Sequence, residues 1–189
     1  MSSYYRIFLE NWLKTIDVEA EKVIDIAGSQ NPVNKRTRTW SVNTFHILDL
    51  KQPHEIKRKP DVVHDMNERL YQVYDYDVAF CLELTEYLWN TEQAFANMRR
   101  LLKHNGILYI SFCYIYGLHN PAGRDYLRFT PDGAEKVLQQ AGFEILEHRL
   151  RIPKPDNSYL SKFFIEDGMR IRKDIDQNVT GSLIKARRK

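Results

Sequence analysis

The sequence has few cysteines and no long apolar run, and each shortage excludes a class of protein. Two cysteines, Cys81 and Cys113, occur in 189 residues, too few for a disulfide-stabilised scaffold or a cysteine-based metal centre. No apolar run approaches the roughly 20 residues of a membrane-spanning helix. Arg6 and Glu10 interrupt the apolar N-terminal stretch, unlike the core of a secretory signal. We therefore expect a cytoplasmic protein with reduced thiols and no membrane contact.

The chain also has little net charge. It carries +3 at neutral pH and has a pI of about 8.8, far from the strong basic bias of a dedicated nucleic-acid binder. The positive residues cluster at 35–38, 57–59 and 185–189. We favour solvated loops and a solvated tail at these positions. The alternative is a surface for an anionic partner such as RNA or a phosphorylated substrate.

Strand-like and helix-like segments alternate along the chain, which is typical of a parallel α/β sheet. The apolar runs predict strands at 22–28, 44–50, 61–66, 76–82, 106–113, 143–150 and 180–186. The sequence therefore predicts an α/β fold of about seven strands, mainly parallel, with the last strand antiparallel and helices on both faces. We expect one domain over 1–189, with a core at 22–150 and a C-terminal helix and last strand at 151–189.

Helical spacing of apolar residues marks the helices. An N-terminal helix within 1–20 presents one apolar face, formed by Tyr5, Phe8, Leu9, Trp12, Leu13 and Ile16. A second helix starts near Thr91 and ends before 105–106. A third has Thr130 as its N-cap and stops at Gly142, and 159–175 is also predicted to be helical. No helical stripe covers 31–43, so we expect some crossover helices to be missing or reduced to turns.

Polar and small residues follow the first three predicted strands. Ligands of open parallel sheets bind outside the carboxyl ends of the strands. The small residues after Asp25 would let a ligand approach the backbone. Asp49 could accept hydrogen bonds from both hydroxyls of a ribose, and Asp65 beside Met66 offers an acceptor for an exocyclic amine next to an apolar wall. Together these strand ends predict a site for a nucleoside-like ligand.

Each of these acids also has a purely structural interpretation. Asp25 could bind backbone groups of its own turn, and Asp49 could form a turn before Pro53. Asp65 with Asn67 could form an Asx-turn.

Three motifs between 76 and 143 resemble those of one enzyme family. Residues 77–88 (DVAFCLELTEYL) resemble a fourth-strand motif that runs into Glu-His-Leu, and 98–108 (MRRLLKHNGIL) resemble a helix-to-strand motif ending in Leu-Lys-Pro-Gly-Gly. Residues 126–133 (YLRFTPDG), followed by 141–143 (AGF), resemble a subgroup signature. These motifs are similar to those of class I S-adenosylmethionine-dependent methyltransferases, specifically methyltransferase type 11. The resemblance covers about 22–149.

The resemblance implies a Rossmann-like methyltransferase fold with S-adenosylmethionine as cofactor and no metal. It places the methionine part of the cofactor at the first turn, the ribose at Asp49, the adenine at Asp65 and Met66, and further contacts beyond the fourth strand. The implied cofactor-binding residues are Asp25, Ala27, Gly28, Ser29, Asn31, Asp49, Leu50, Asp65, Met66, Cys81, Leu82 and Glu83.

The first turn departs from the family pattern, which usually reads Asp-Ile-Gly-x-Gly. Here Ala27 and Ser29 stand at the two glycine positions, and the single glycine is Gly28. Small side chains still permit close approach, but a backbone angle reserved for glycine would be lost. The usual Glu-His pair after the fourth strand is Glu86-Tyr87.

Three residues after the fifth strand are the candidates for catalysis. His119 could act as the base that takes a proton from the methyl acceptor. Tyr126 and Arg128 could orient an acidic or phosphorylated substrate. The alternatives are a simple turn at 119–121, a core position for Tyr126, and a structural ion pair between Arg128 and Asp125.

The leading functional hypothesis is methyl transfer to oxygen or nitrogen of a small molecule or carbohydrate precursor. A degenerate relative that binds a partner without turnover is the second, favoured by the altered first turn. Methylation of a nucleic acid or protein is the third, supported only by the basic clusters. An NAD-dependent dehydrogenase is disfavoured because its spaced glycines are absent. A homodimer, with the N-terminal helix or 159–175 covering the partner's site, is an additional option.

Overall fold

Seven strands form one mixed sheet in the computed structural model, in the order β3-β2-β1-β4-β5-β7-β6. The structure describes residues 4–119, 123–152 and 179–189. The elements are α1 (Tyr4–Leu13), β1 (Asp17–Ile26), β2 (Thr39–Asp49), β3 (Val62–Val63), β4 (Tyr76–Cys81), α2 (Thr91–Leu101), β5 (Leu102–Cys113), α3 (Pro131–Gln140), β6 (Phe143–Arg151) and β7 (Gly181–Arg188).

All neighbouring strands are parallel except at β7, which inserts between β5 and β6 and is antiparallel to both. The predicted mainly parallel sheet with an antiparallel last strand is confirmed. The strand order reverses between β1 and β4, so the carboxyl ends of these two strands flank the crevice where open α/β sheets bind ligands.

The two faces of the sheet are covered by different helices, as predicted. On one face α2 and α3 bury their apolar stripes, including Phe95, Met98 and Leu138, against a large core. On the other face α1 packs Leu9, Trp12 and Leu13 against a smaller core. Burial of side chains on both faces is the main stabilising term for such a sheet.

Local sequence fixes where the second and third helices start. The Asn90 side chain accepts a hydrogen bond from Gln93 N and caps α2. The Thr130 hydroxyl accepts one from Gly133 N and caps α3, and Pro131 occupies the first helical position. Gly142 follows α3 with φ +84°, an angle suited to glycine at a helix end.

The connections that normally carry crossover helices are shortened, as the sequence indicates. A 3₁₀ turn at Val33–Lys35 is the only helical element between β1 and β2, and no helix joins β2 to β3 or β3 to β4 in these described stretches. None of the described helices is long and apolar enough to span a bilayer.

Several boundaries differ from the prediction. Residues 17–20 belong to β1 rather than to the N-terminal helix, because they pair with 39–42 of β2. Strand β3 covers two residues of the predicted 61–66, so Asp65 lies in the loop beyond it. Leu102 begins β5 by pairing with Tyr76 instead of extending α2. The predicted helix at 159–175 lies outside the described residues.

Candidate functional site

An open cleft lies at the carboxyl ends of β1 and β4, where the strand order reverses. Its empty space is about 410 Å³ and is continuous with solvent. Six of its lining residues are among the predicted site residues, namely Asp25, Ala27, Gly28, Asn31, Leu82 and Glu83. The others are Arg6 from α1 and Gln30 and Arg36 from the loop after β1. Helix α1 therefore forms one wall of the cleft.

The first turn keeps a glycine-like backbone despite its altered sequence. Ala27 has φ +62°, in the left-handed region that costs an ordinary residue about 1–2 kcal/mol. Gly28 packs so closely on the side chain of Asp25 that an added Cβ would lie 2.4 Å from its Cγ. The turn therefore requires glycine at position 28, while alanine occupies the positive-φ position at 27.

Asp25 is buried beneath this turn and holds the following segment. Its Oδ2 accepts a 2.8 Å hydrogen bond from Val33 N, the start of the 3₁₀ turn. Burial raises the pKa of Asp25 to about 7, although the hydrogen bond from Val33 opposes the shift. The structural role considered for Asp25 in the sequence is present, and the residue also lines the cleft.

Asp49 lies at the end of β2 and faces the first turn. Its Oδ2 accepts from Ser29 N at 3.2 Å and its Oδ1 from Leu50 N at 2.8 Å. Each carboxylate oxygen has two lone pairs, so both can still accept from another donor. Leu50 itself is partly exposed, whereas Ser29 is fully buried and its hydroxyl has no hydrogen-bond partner within the described ranges.

Asp65 forms the Asx-turn that the sequence allowed as an alternative. Its Oδ1 accepts from both the backbone N and the side-chain Nδ2 of Asn67. Met66 is buried beside it. Asn97 of α2, which sequence reasoning missed, holds this loop by donating from Nδ2 to the carbonyls of Met66 and Glu68. A buried asparagine on an apolar helix face is the signal that could have identified it.

The residues at the end of β4 point in different directions. Cys81 is fully buried in the larger core, so it does not line the cleft. Leu82 and Glu83 do line it. Glu83 has φ +55°, and Ser111 of β5 fixes it at both ends, since the Ser111 hydroxyl accepts from Glu83 N and donates to Glu83 Oε1, each at 2.7 Å.

His119 lies against a buried carboxylate. Its Nδ1 is 2.9 Å from Glu86 Oε1, an ion-pair distance although the N–H direction is out of line for a hydrogen bond. Glu86 is 2% exposed and His119 is 23% exposed at the side chain. The close approach of Glu86 raises the pKa of His119 above its ordinary value, against an opposing contribution from burial. The other ring nitrogen, Nε2, has no hydrogen bond to a described residue.

Arg128 is bound within its own loop. Its guanidinium pairs through both terminal nitrogens with the carboxylate of Asp125, and that contact lowers the pKa of Asp125 to about 2. Asp125 also accepts a hydrogen bond from His119 N at 2.8 Å. The ion pair considered as the alternative for Arg128 is therefore present. Tyr126 is half exposed, and its backbone N donates to the Glu86 carbonyl.

Aromatic rings line the region around His119. Tyr5 of α1 lies 4.8 Å from Tyr116 between ring centroids, and Tyr116 lies 4.6 Å from His119. Tyr87 stacks with His119 at 6.1 Å. This row of rings runs from the N-terminal helix to the loop after β5.

A buried arginine at the end of β6 completes the site and was not predicted. The side chain of Arg151 is 1% exposed, its Nη2 donates to Glu83 Oε1 at 2.6 Å, and its guanidinium lies 3.8 Å from the ring centroid of Tyr5. Arg151 and Glu83 are 68 residues apart in sequence. No local pattern indicates such a contact, because it depends on how the last strands pair.

Part of the chain is similar to a known protein domain. A family model described as a methyltransferase domain matches residues 40–110. No curated protein matches the chain in sequence.

The structure resembles solved methyltransferases over nearly its whole length. An S-adenosylmethionine dependent methyltransferase from Mesorhizobium loti matches at a TM-score of 0.63 and 12% identity, over 97% of this chain and 98% of that one. Phosphoethanolamine N-methyltransferase 2 from Haemonchus contortus, in complex with S-adenosyl-L-methionine, matches at 0.61 and 14% identity, over 97% of this chain and 52% of that one. The [4+2]-cyclase SpnF matches at 0.59 and 15% identity, over 96% and 80%. At these identities the likeness shows a shared fold.

Proposed function

We propose that this chain is a class I S-adenosylmethionine-dependent methyltransferase that transfers the methyl group to an oxygen or nitrogen of a small organic acceptor, and that His119 takes the acceptor's proton. The methyltransferase-domain match at 40–110 and the shared fold support the first part of this proposal. The observation that carries this proposal is the His119–Glu86 pair beyond the ends of β5 and β4, at the same edge of the sheet as the cleft.

The cleft, and the neighbouring ends of β2 and β3 outside its lining, carry groups that suit the cofactor. Asp49 would accept the ribose hydroxyls, because each of its oxygens keeps a lone pair beyond its backbone hydrogen bond. The turn at Ala27 and Gly28 would admit the methionine part, since both residues line the cleft and neither carries a bulky side chain. Met66 would pack on the adenine while Asp65 accepts from its amine. When bound, S-adenosylmethionine supplies an activated sulfonium methyl.

His119 is arranged to act as a base. The Glu86 carboxylate at Nδ1 favours the tautomer with its proton on that nitrogen, leaving the Nε2 lone pair to accept a proton. A buried carboxylate also stabilises the imidazolium that results. His119 Nε2 would take the proton that the acceptor's oxygen or nitrogen loses on methylation, for which the bound cofactor would supply the methyl group.

Tyr116 and Tyr87 support a small organic acceptor, because their flat rings offer apolar contact beside the base. Tyr5 lies behind them, buried and covered by Arg151. A carbohydrate precursor is one such acceptor. Amino alcohols and their phosphates are others, suggested by the phosphoethanolamine N-methyltransferase that shares the fold. The Arg128 guanidinium is already bound to Asp125, so its proposed role is to hold the conformation of the loop. Tyr126 is the residue that we expect to contact the acceptor.

The alternatives with other partners receive less support. The retained turn geometry at Ala27 favours cofactor binding over a degenerate role. In the basic cluster at 35–38, Arg36 pairs with Glu10 and Arg38 pairs with Asp17. These ion pairs reduce the positive surface that a nucleic acid would require.

Calorimetric titration with S-adenosylmethionine and S-adenosylhomocysteine tests the cofactor assignment first. We expect micromolar binding of at least one of them. A screen of hydroxyl- and amine-bearing acceptors for S-adenosylhomocysteine release then tests transfer. Absence of binding to the folded protein would contradict the proposal.

A pH profile tests the base. We expect turnover to rise with pH and to level off only above the ordinary pKa of histidine, because Glu86 raises the pKa of His119. Glu86→Gln should move that inflection to lower pH. An inflection that does not respond to Glu86→Gln would exclude His119 as the base.

A further inference from the structure

Glu83 is the only acidic residue of the cleft lining, apart from the buried Asp25, in the parts of the chain that the structure describes. Its side chain is 22% exposed, so one part of the carboxylate is reachable from the cleft. The Oε1 atom accepts from both Ser111 Oγ and Arg151 Nη2. The Oε2 atom has no hydrogen bond to a described residue.

The three residues form a rigid unit. Ser111 binds the backbone N and the Oε1 of Glu83, so main chain and side chain are fixed by one hydroxyl. Arg151 is held from the other side by the face of Tyr5, and its Nε and Nη1 have no hydrogen-bond partner within 4–119, 123–152 and 179–189. A buried charge is costly unless it is paired, so the contacts of Arg151 with Glu83 and Tyr5 fix the guanidinium in place.

The charge state of Glu83 suits the recognition of a cation. Burial alone would raise its pKa, but the charge of Arg151 and the hydrogen bonds from Arg151 and Ser111 lower it below its ordinary value. Glu83 is therefore ionised at neutral pH, and the guanidinium occupies only one of its two oxygens.

We propose that Glu83 recognises the ammonium group at the amino-acid end of the cofactor through Oε2, and that Arg151 and Ser111 are positioning residues that fix this carboxylate at the cleft wall. This inference rests on the proposed function, because it requires the methionine part of the cofactor to lie at the first turn. Through Arg151, the last strands of the sheet would then contribute to cofactor recognition.

Three ligands separate the contribution of the ammonium group from the rest of the cofactor. S-adenosylhomocysteine has the whole amino-acid end, its deaminated analogue lacks only the ammonium group, and 5′-methylthioadenosine lacks the entire amino-acid end. We expect the wild-type protein to bind S-adenosylhomocysteine roughly 10- to 100-fold more tightly than the deaminated analogue, the range for a hydrogen bond between charged groups.

Glu83→Gln should reduce this ratio to near one and leave the affinity for 5′-methylthioadenosine within about twofold, since only the charged contact is lost. Glu144→Gln is the matched control, because Glu144 is also paired with an arginine, Arg187, but on the edge hairpin of β6 and β7. The control should keep the wild-type ratio.

Two further variants separate recognition from folding. If Glu83→Gln does not fold because Arg151 is left unpaired, the double variant Glu83→Gln/Arg151→Met removes both buried charges and should show the same loss of the ratio. Arg151→Lys keeps the positive charge without the planar fork, and we expect it to lower the ratio several-fold while 5′-methylthioadenosine still binds normally.

The outcomes distinguish this inference from the proposed function. A wild-type ratio that persists in Glu83→Gln, or in the double variant, would overturn the recognition by Glu83. A ratio unchanged in Arg151→Lys would overturn the positioning role of Arg151. If the wild-type protein bound none of the three ligands, both the cofactor site and this inference would be wrong.

Discussion

The carboxyl edge of the sheet has two halves that use carboxylates differently. In the turn half, at the ends of β1, β2 and β3, the carboxylates of Asp25, Asp49 and Asp65 bind backbone N–H groups. In the ion-pair half, at the ends of β4, β5 and β6, each carboxylate lies against a basic side chain, and the pairs are Glu83–Arg151, Glu86–His119 and Asp125–Arg128.

The difference shows how one edge can combine two tasks. Carboxylates bound to backbone amides fix the path of the turns, and they replace the crossover helices that are missing there. Carboxylates paired with basic side chains fix charge at defined places, because an ionised group favours the oppositely charged form of its neighbour. We therefore expect changes in the turn half to alter binding and stability, and changes in the ion-pair half to alter chemistry.

The largest effect should come from His119→Ala. Removal of a general base lowers turnover by about 10²–10⁴-fold, while affinity for S-adenosylhomocysteine should stay within a few-fold of wild type. Steady-state kinetics and calorimetry on the same preparation check this. A loss of both binding and thermal stability would instead show that His119 holds the loop. The ion-pair half would then serve structure, as the turn half does.

Asp25→Asn should change how stability depends on pH. Because the folded pKa of Asp25 is about 7 against an ordinary 3.8, the folded state binds the proton more strongly, and unfolding free energy falls as pH rises from about 4 to 7. The amide keeps an acceptor for Val33 N and does not titrate.

This substitution should remove a pH-dependent contribution to the unfolding free energy of up to about 4 kcal/mol. Urea denaturation of both proteins at several pH values measures it. Parallel curves for wild type and variant would show that Asp25 does not titrate in this window.

Asp49→Ala should weaken cofactor binding by roughly 10- to 100-fold, because it removes an acceptor of two ribose hydroxyls. Asp49→Asn is the control, since it keeps one oxygen for Ser29 N and loses the charge, and its effect should be intermediate. Calorimetry with S-adenosylhomocysteine provides the readout. Wild-type affinity in Asp49→Ala would remove the ribose assignment.

The smallest effect is expected from Ala27→Gly. Glycine adopts φ +62° without the steric cost that alanine has there, so the variant should gain about 0.5–1 kcal/mol of stability. Ala20→Gly in the extended part of β1 is the matched control and should lose a similar amount. Thermal denaturation compares them, and a loss of stability at both positions would mean that the turn is not strained.

Most of the fold could be predicted from the sequence because its strands are apolar runs separated by clear caps and turns. Thr130, Pro131 and Gly142 fixed one helix from local chemistry alone. Residues 17–20 could not be assigned in this way, since their alternation of charged and apolar residues becomes a strand only through pairing with β2. Tertiary pairing likewise overrides the helical pattern at Leu102.

The turn half of the site was accessible to sequence reasoning because its residues follow their own strands directly. The ion-pair half was not, since its partners come from distant segments. Asp125 and Arg128 are three residues apart, so their ion pair could be predicted from the sequence, whereas Glu83 and Arg151 are 68 residues apart. Their contact depends on the position of β7 between β5 and β6 in the sheet. The spacing of residues along the sequence does not reveal this strand order.

The position of β7 has a consequence for the order in which the protein can be made. Helix α1 is synthesised early, yet the small core that it joins includes Leu183 of β7, which is synthesised late. On a translating ribosome, α1 cannot complete its packing until β7 has left the exit tunnel. The same holds for Arg151, whose strand pairs with β7. The small core and the pairing of β6, which carries Arg151, can therefore form only after β7 has been synthesised.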